Sequence, residues 1–582
     1  MLFYILRDKD GGIYASPFPA LDMLCNGAEA YVYPGLPLQV LNDFQCKEQG
    51  LLSESEIIKK LAVSLRKNKC LLTEQLRWLK LNAFSPYYDD CLRFARKEEL
   101  LNGLLTIIQG RQVTENEFFS LAKVLKVSVT ELAILLHLTV IKGYGEWVPG
   151  LSRRNNSWQC ERCGNKDCYQ VWPSYYGHTA TCLSCKSLGP LSSLQVIYRS
   201  LEGTLQREKE KKAGTTPSTL SEQDWQFTPA QCSAAADLQL FARDPVAKEA
   251  LVWAACGAGK TEITFPVIEQ YLEQSQSVLY AAPRRDVVHD IQPRLEKYFN
   301  SCKVKVMSGL SPPDWTACPL TVATTHQVLK FSRAFDLIIL DEMDAYPYAG
   351  DQVLEYGLKQ ALKRTGKIIY LSATPSASIL AKVGRQECFL TRLPARFHGY
   401  PLPVPEFLKL KPPKISEPMI VEGRILGSRS LLAIGDYLRK LLLDGQLFVF
   451  VPTVSLVNTW VQVLSLLFKD KKITGSWGSD PDRKRNVASF TSGKSDVIVC
   501  TSILERGITV HKAQAVVLYA DHALYDVRAL VQMAGRVGRT AACPQGRVLF
   551  IAGKQSKEIT AAIKWIEDQN ELAAQGGFLH GR

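Results

Sequence analysis

Short runs of Val, Ile and Leu alternate with stretches of helical periodicity from about residue 225 to the end of the chain. Such runs are typical of strands buried on both faces, and their alternation with helices predicts parallel sheets covered by helices. A proline-rich segment near residue 400 separates two groups of strands, so we predict two α/β lobes, at 224–400 and 401–582. The predicted strands are Ala250–Ala254, Val278–Ala282, Leu337–Leu340, Ile368–Leu371, Leu447–Val451, Val497–Cys500, Val516–Tyr519 and Val548–Ile551.

The first 150 residues have a different pattern. Ser53 and Glu56, and again Thr114 and Glu117, have the spacing of a helix capping box, and apolar residues at helical intervals follow each pair. We therefore predict a mostly helical unit at 1–150, after a short extended piece at its start. The sequence assigns no chemistry to this unit. Its basic and aromatic residues favour a solvated helix face with a few packed rings, and contact with nucleic acid is the alternative: Arg66, Lys67, Arg77, Trp78, Tyr87 and Tyr88.

Composition limits the classes of protein that fit. A chain of 582 residues is too long for one core, and with 46% apolar and 22% charged residues it is neither largely disordered nor collagen-like. The formal charge of +13 favours a polyanionic partner such as nucleic acid without establishing one. We find no signal peptide and no apolar run long enough to span a bilayer, so we expect no transmembrane segment and a cytoplasmic location.

A phosphate-binding loop is the strongest motif. The sequence Ala-Ala-Cys-Gly-Ala-Gly-Lys-Thr at 254–261 follows a predicted strand and opens a predicted helix. Gly257 and Gly259 would let backbone N–H groups converge on phosphate oxygens, Lys260 would reach the β- and γ-phosphates, and Thr261 would ligate Mg²⁺. The alternative is a chance turn of Gly and Lys, which the preceding strand argues against.

Two further motifs supply the other groups that phosphoryl transfer requires. Asp341 and Glu342 follow a predicted strand, where Asp341 would hold Mg²⁺ and Glu342 would orient or deprotonate the attacking water. Gln532, Arg536 and Arg539 lie in the second predicted lobe, and the two arginines suit the charge that develops on a transferring phosphoryl group. The alternatives are an acidic strand end without a role and a basic loop that binds nucleic acid.

Four cysteines have the spacing of a metal site. Cys160 and Cys163 form one Cys-x-x-Cys pair, and Cys182 and Cys185 form the second, which fits a four-thiolate zinc site in a module at 151–200. Cys168 and His178 lie between the pairs as alternative ligands, and unconnected buried cysteines or a redox pair are the other interpretations. The segment 201–223 has the composition of a linker, so we expect loss of the zinc to weaken DNA or partner binding while the ATP pocket stays assembled.

The order of these motifs between 225 and 545 resembles the superfamily 2 helicases, whose motors have two RecA-like lobes with parallel sheets. The acidic motif reads Asp-Glu-Met-Asp and the last motif begins with Gln, which is more similar to DNA translocases of the RecG and PriA sort than to DEAD-box RNA helicases. The resemblance implies that adenine is read by Gln231, that DNA is contacted by Arg284, Thr325, Thr501 and Arg506, and that hydrolysis is coupled to movement by Ser372 and Thr374.

The zinc module ahead of the motor, the segment 393–405 and the segment 503–509 resemble the ComFA family of late-competence proteins over about residues 155–582. This resemblance implies an ATP-dependent single-stranded DNA translocase that uses ATP, Mg²⁺ and Zn²⁺ and draws transforming DNA into the cytosol. It also implies other competence proteins as partners at the inner face of the uptake channel. Peripheral membrane association and homo-oligomer formation are left open.

Two other functions compete with this interpretation. The first is a PriA-like replication-restart helicase, which would unwind duplex DNA. The second is a nucleic-acid-binding scaffold in which ATP is a conformational switch and is not hydrolysed. The intact set Lys260, Glu342, Arg536 and Arg539 argues against the scaffold.

Overall fold

The chain forms two compact units. The first consists of Met1–Glu222, Ile268–Leu340 and Ala345–Ile368, and the second of Gln223–Val267, Asp341–Asp344 and Ile369–Arg582. The computed structural model describes residues 1–43, 53–72, 75–83, 85, 87–95, 97–154, 157–202, 227–300, 302–309, 313–413, 420–421, 424–425, 429–502 and 510–580. Most of the predicted linker, and Arg506 with the rest of 503–509, lie outside the described residues.

The described part of residues 1–202 combines helices with antiparallel strands. Its helices are Pro19–Asn26 (α1), Leu38–Asp43 (α2), Glu54–Lys67 (α3), Tyr88–Phe94 (α4), Glu98–Ile108 (α5), Glu115–Leu125 (α6) and Val129–Ile141 (α7). Its strands are Leu2–Asp8 (β1), Ile13–Ser16 (β2), Ala28–Tyr33 (β3), Leu36–Pro37 (β4), Arg77–Lys80 (β5), Gln112–Thr114 (β6), Gly145–Pro149 (β7), Leu151–Arg154 (β8), Ser157–Cys160 (β9), Tyr169–Ser174 (β10), Gly177–Cys182 (β11), Leu191–Ser192 (β12) and Val196–Ser200 (β13).

The prediction of a mostly helical unit at 1–150 describes only part of this segment. Strands β2, β1, β3 and β5 pair in that order, and β4 pairs with β1, so the segment also contains a five-stranded antiparallel sheet. The prediction missed it because the burial along β1 and β3 does not alternate regularly, which removes the period-two pattern of a half-buried strand. Both predicted capping boxes are confirmed, at the starts of α3 and α6.

The four-cysteine module is built from short antiparallel pairs. Strand β8 pairs with β9, while β10, β11 and β12 form a three-stranded sheet. It is not isolated from the rest of the first unit. Gln112 Nε2 on β6 donates to Arg162 O at 3.5 Å, and a Cβ at Gly164 would be 2.5 Å from the ring of Tyr356.

The described residues 227–413 alternate between helices and strands. The helices are Pro229–Arg243 (α8), Phe265–Glu273 (α9), Arg285–Tyr298 (α10), Thr325–Val328 (α11), Gln352–Ala361 (α12) and Ala377–Gly384 (α13). The strands are Glu249–Ala254 (β14), Val278–Ala282 (β15), Val304–Met307 (β16), Leu320–Thr324 (β17), Phe335–Asp341 (β18), Leu362–Ser372 (β19), Phe389–Leu393 (β20) and Glu406–Lys409 (β21). In the first unit β16, β17, β15 and β18 are parallel neighbours in that order, and in the second unit β14 is parallel to β20.

The last part of the second unit contains a six-stranded parallel sheet in the order β21-β28-β27-β24-β26-β25. The helices are Arg429–Asp444 (α14), Val454–Leu467 (α15), Arg483–Thr491 (α16), Val527–Ala534 (α17) and Lys557–Gln575 (α18). The strands are Ile420–Val421 (β22), Arg424–Ile425 (β23), Gln446–Phe450 (β24), Ile473–Ser476 (β25), Val497–Cys500 (β26), Ala513–Leu518 (β27) and Val548–Ala552 (β28). All eight predicted strands are present, because each is buried as its apolar run indicated. Six of them agree with the prediction within two residues at each end, whereas β19 begins six residues and β27 three residues before the predicted start.

Candidate nucleotide and metal sites

The phosphate-binding loop lies between β14 and a short 3-10 helix at Glu262–Thr264. Gly257 and Gly259 both have φ +81°, a left-handed conformation that favours glycine. A Cβ at Gly259 would overlap the amide of Gln231, whose Nε2 donates to Ala258 O at 2.9 Å. Gln231 is thus held against the loop, at the start of α8.

Lys260 meets the acidic motif directly. Its Nζ lies 2.6 Å from Oδ1 of Asp341, which is 2% exposed, and the same carboxylate oxygen accepts from the backbone N–H of Glu342 at 2.7 Å. Glu342 has φ +53°, so the chain turns sharply at the end of β18. A cation, a buried carboxylate and a second carboxylate lie together where a phosphate chain and its Mg²⁺ would bind.

Asp344 connects the acidic motif to the segment that follows β19. Its two carboxylate oxygens accept from Ser372 Oγ and from Thr374 Oγ1, each at 2.9 Å. All three side chains are buried. The backbone carbonyl of Asp344 also accepts from Arg528 Nη1 on α17 at 3.2 Å. A shift of the acidic motif would therefore displace the segment after β19 and helix α17, both in the second unit.

The motif that contains the two predicted arginines packs against the phosphate-binding loop within the second unit. Cys256 Sγ donates to Gln532 Oε1 at 3.5 Å, and a Cβ at Gly535 would lie 2.6 Å from Cys256 Cβ. Arg539 Nε donates to the carbonyl of Gly535 at 2.8 Å, and Arg536 is 3% exposed. The structure thus brings Gln532, Arg536 and Arg539 to the segment that carries Lys260.

Arg396 is a site residue that the sequence analysis missed. Strand β20 lies beside β14 and ends at the same edge, so the residues after β20 reach the phosphate-binding loop. Arg396 is 1% exposed, and its guanidinium donates to Cys256 O at 3.0 Å and Val537 O at 2.7 Å. Burial and the charge of Arg539 lower the pKa of Arg396 to about 10.

The carbonyl oxygens around Arg396 explain its position. Besides Cys256 and Val537, the guanidinium donates to Gly538 O at 2.5 Å and to Gly535 O at 3.4 Å. One planar group with donors in a fixed fork therefore holds both the phosphate-binding loop and the loop that carries Arg536 and Arg539. Arg396 lies in the segment 393–405 that resembles the ComFA family, but its role is not visible in the sequence, because its partners are backbone atoms far away in the chain.

The predicted DNA-contacting residues that the structure describes are partly or fully buried. Arg284 is half-buried at the N-terminus of α10, and Thr501 is half-buried after β26. Thr325 is 1% exposed, and its hydroxyl has no hydrogen-bond partner among the residues that the structure describes. The predicted contact between Thr325 and DNA does not fit the burial of this residue in the first turn of α11.

The four cysteines at 160–185 converge in the first unit. Their Sγ atoms all lie within 4.8 Å of one another, with separations of 3.8 Å for Cys160 and Cys185 and 3.6 Å for Cys163 and Cys182. Four thiolates around a tetrahedral zinc with Zn–S bonds of about 2.3 Å would be about 3.8 Å apart, so the donor set fits this metal. Cys168 and His178 are exposed and are not members of the cluster.

Arg162 adds a positive charge beside these sulfur atoms. Its Nε and Nη2 donate to Cys185 Sγ at 3.3 and 3.1 Å, and its side chain is buried. Hydrogen bonds from Cys160 and Cys163, together with the Arg162 charge, lower the pKa of Cys185. Such donors favour the thiolate form that binds metal.

Among the described helices, none is by itself both long enough and apolar enough to cross a membrane. Helices α6 and α7 meet the criteria of length and composition only as a pair, and the chain bends by 98° between them.

Comparison with known families matches the two motor regions. Residues 228–383 match the model of the DEAD/DEAH box helicases, and residues 433–541 match the model of the helicase conserved C-terminal domain. The phosphate-binding loop, the acidic motif and the arginine motif lie within these two regions. The chain is therefore an ATPase of the superfamily 2 helicase type.

The family within the superfamily 2 helicases is identified by relatives that are similar to this chain over most of their length. Competence protein ComFA of Bacillus subtilis (strain 168) is 33% identical over 463 residues, which cover 77% of this chain and 93% of the relative. ComFA of Streptococcus pneumoniae is 32% identical over 435 residues, or 74% and 94%. The chain belongs to the ComFA family. Among solved structures, the Mycobacterium smegmatis helicase Lhr bound to ssDNA and AMP-PNP matches 59% of this chain and 48% of its own, with 18% identity and a TM-score of 0.44.

Proposed function

We propose that this protein is an ATP-driven motor that moves along single-stranded DNA and draws transforming DNA into the cytosol during competence. The main observation in favour of a motor is that the acidic motif contacts two different segments of the protein. Asp341 contacts Lys260, while Asp344, three residues later, contacts Ser372 and Thr374. The ComFA relatives support the role in competence, because the similarity covers most of both chains.

In this mechanism Lys260 binds the β- and γ-phosphates and Gln231 reads adenine. Thr261 and Asp341 hold Mg²⁺, which would neutralise phosphate charge when bound. Glu342 orients the attacking water. The backbone N–H groups beside Gly257 and Gly259 complete the phosphate cradle.

Arg536 and Arg539 stabilise the charge on the transferring phosphoryl group, and Gln532 belongs to the same catalytic motif. Arg396 is a positioning residue that acts through these two arginines, because its guanidinium holds the carbonyls on both sides of Arg536. The Asp344 contacts with Ser372 and Thr374 couple hydrolysis to movement.

DNA is tracked by Arg284, Thr501 and Arg506, whereas the burial of Thr325 argues against a contact through this residue. Zinc bound by Cys160, Cys163, Cys182 and Cys185 has a structural role, since four thiolates leave no coordination position for a reactive water. We also propose the domain borders given in the sequence analysis. The protein works in the cytoplasm at the inner face of the uptake channel, together with other competence proteins.

The test is ATP hydrolysis by the purified chain with single-stranded DNA, duplex DNA and RNA in parallel. We expect the strongest stimulation by single-stranded DNA. Stimulation mainly by duplex DNA, with strand separation, would favour a replication-restart helicase. ATP binding without hydrolysis under all conditions would favour a scaffold and contradict the proposal.

A further inference from the structure

The hairpin formed by β10 and β11 carries large apolar side chains that no described part of the protein covers. Val171 is 46% exposed, Trp172 38% and Tyr175 43%. Neighbouring residues of a strand point to opposite faces, so the exposure of both Val171 and Trp172 means that β10 is open on both faces. Contiguous apolar patches on a protein surface often mark binding sites.

The two exposed aromatic side chains are held in place. Trp172 Nε1 donates to Thr181 Oγ1 on the neighbouring strand at 3.1 Å, which limits rotation of the indole. The ring of Tyr175 packs edge-on against Tyr176 with centroids 5.1 Å apart. The backbone carbonyl of Tyr175 accepts from Leu71 N–H at 2.8 Å. Ordered rings of this kind lose little conformational entropy when a planar ligand stacks on them.

A basic turn lies against the tip of this hairpin. Arg66, Lys67 and Lys69 are exposed around the C-terminal end of α3, and Asn68 lies among them. Gly177 has φ +96°, and a Cβ there would overlap Asn68 O, so the hairpin tip and the turn are in direct contact. Arg153 Nη1 also donates to Asn68 Oδ1 at 3.2 Å, which adds a fourth positive charge.

We propose that Arg66, Lys67, Lys69, Trp172 and Tyr175, which we call the basic–aromatic surface, bind single-stranded DNA outside the motor motifs. Unpaired bases expose their faces for stacking, and the adjoining phosphates need cations, so the two kinds of side chain match the two parts of this ligand. A duplex hides its base faces, so it would gain only from the cations. The inference rests on the proposed function in one respect, namely that single-stranded DNA is the ligand.

The basic–aromatic surface also suggests what the four-cysteine module does, which is to hold the hairpin that carries the aromatic side chains. Cys182 ends β11, and Cys163 and Cys185 flank the hairpin in the sequence, so a bound metal would fix the base of the structure that carries Trp172. A motor changes its grip on DNA during each ATP cycle. A second contact that does not depend on the nucleotide would keep the strand bound between steps.

The test measures binding of a fluorescent oligo(dT) to the full chain at several salt concentrations by anisotropy. Two variants are compared with the wild type, W172A/Y175A and R66Q/K67Q/K69Q. The control K554Q/K557Q/K564Q removes three exposed lysines from the C-terminal part of the second unit. Zinc content and ATP hydrolysis without DNA are measured for each variant, and both should equal the wild-type values if the variant is folded.

We expect the aromatic variant to bind about tenfold more weakly per ring removed. The glutamine variant should lower the slope of log affinity against log salt by about 2, since each phosphate contact to a single strand contributes about 0.7. Trp172→Phe should keep most of the affinity because it keeps a ring. The lysine control should bind as the wild type does.

Wild-type affinity and salt slope in both variants would overturn the inference while leaving the motor proposal intact. Equal loss of affinity in the lysine control would also overturn it, since the effect would then be one of net charge. If the wild-type chain itself fails to bind oligo(dT), the proposed function fails first. Should the aromatic variant lose zinc, the glutamine variant decides, because Arg66, Lys67 and Lys69 are exposed and a wild-type affinity and salt slope in that variant would overturn the inference.

Discussion

Replacing Arg396 by Lys should slow ATP hydrolysis without preventing ATP binding. The substitution keeps a positive charge, but one ammonium group cannot reach the carbonyls of Cys256, Val537 and Gly538 in the geometry of a planar fork. Hydrogen bonds to a charged group contribute about 1.5–3 kcal/mol each. The loss of one or two such bonds frees the loop that carries Arg536 and Arg539.

Lysine also carries a positive charge, so Arg396→Lys does not relieve the cost of burying a charge at this position. The free energy of unfolding should therefore fall by about 1.5–3 kcal/mol for each hydrogen bond that is lost. Misplacing catalytic groups by about 1 Å can cost on the order of 10²-fold in rate. We therefore expect kcat to fall about 10²-fold while KM for ATP changes little.

Steady-state ATP hydrolysis with saturating single-stranded DNA measures both constants, and thermal unfolding measures stability. Arg392→Lys is the matched control, because Arg392 lies on β20 in the same segment but is exposed. If Arg396 acts through Arg539, the double variant R396K/R539A should be little slower than R539A alone. A wild-type kcat for Arg396→Lys would refute this reasoning, as would an effect that multiplies with that of Arg539→Ala.

Three other changes test separate parts of the account. The double variant S372A/T374A leaves the buried carboxylate of Asp344 without two hydrogen bonds, so hydrolysis should continue while strand movement is lost; parallel ATPase and translocation assays check this. Cys182→Ser should remove the zinc and unfold its module, which metal analysis and circular dichroism would detect; full zinc content would show that the ligands are wrong. Affinity for single-stranded DNA should fall steeply between low and moderate salt in a titration, and unchanged affinity would contradict phosphate tracking.

The sequence predicts the parts of this protein whose cause is local. A strand buried on both faces appears as an apolar run, and the phosphate-binding loop needs glycines at φ positions that few other residues adopt, so Gly257 and Gly259 are visible without a structure. The four cysteines are visible for the same reason, since each pair forms one short turn. These features are set by residues close together in the chain.

Features that depend on distant partners escape sequence analysis. Arg396 binds carbonyl oxygens about 140 residues away on either side, and a carbonyl leaves no mark in a sequence. The burial of Thr325 and the sheet that contains β1 were missed for related reasons, because both result from packing between separate segments. The contact between the tip at Gly177 and the turn at Asn68 joins two such segments.

The central claim is that hydrolysis at Lys260 and Glu342 drives movement along a single strand. The most direct measurement is stopped-flow translocation on single-stranded DNA of increasing length with a fluorophore at one end. The account predicts a lag that grows with length in the wild type and no movement in Glu342→Gln, although this variant still binds ATP. A signal that does not depend on length, or one that persists in Glu342→Gln, would contradict it.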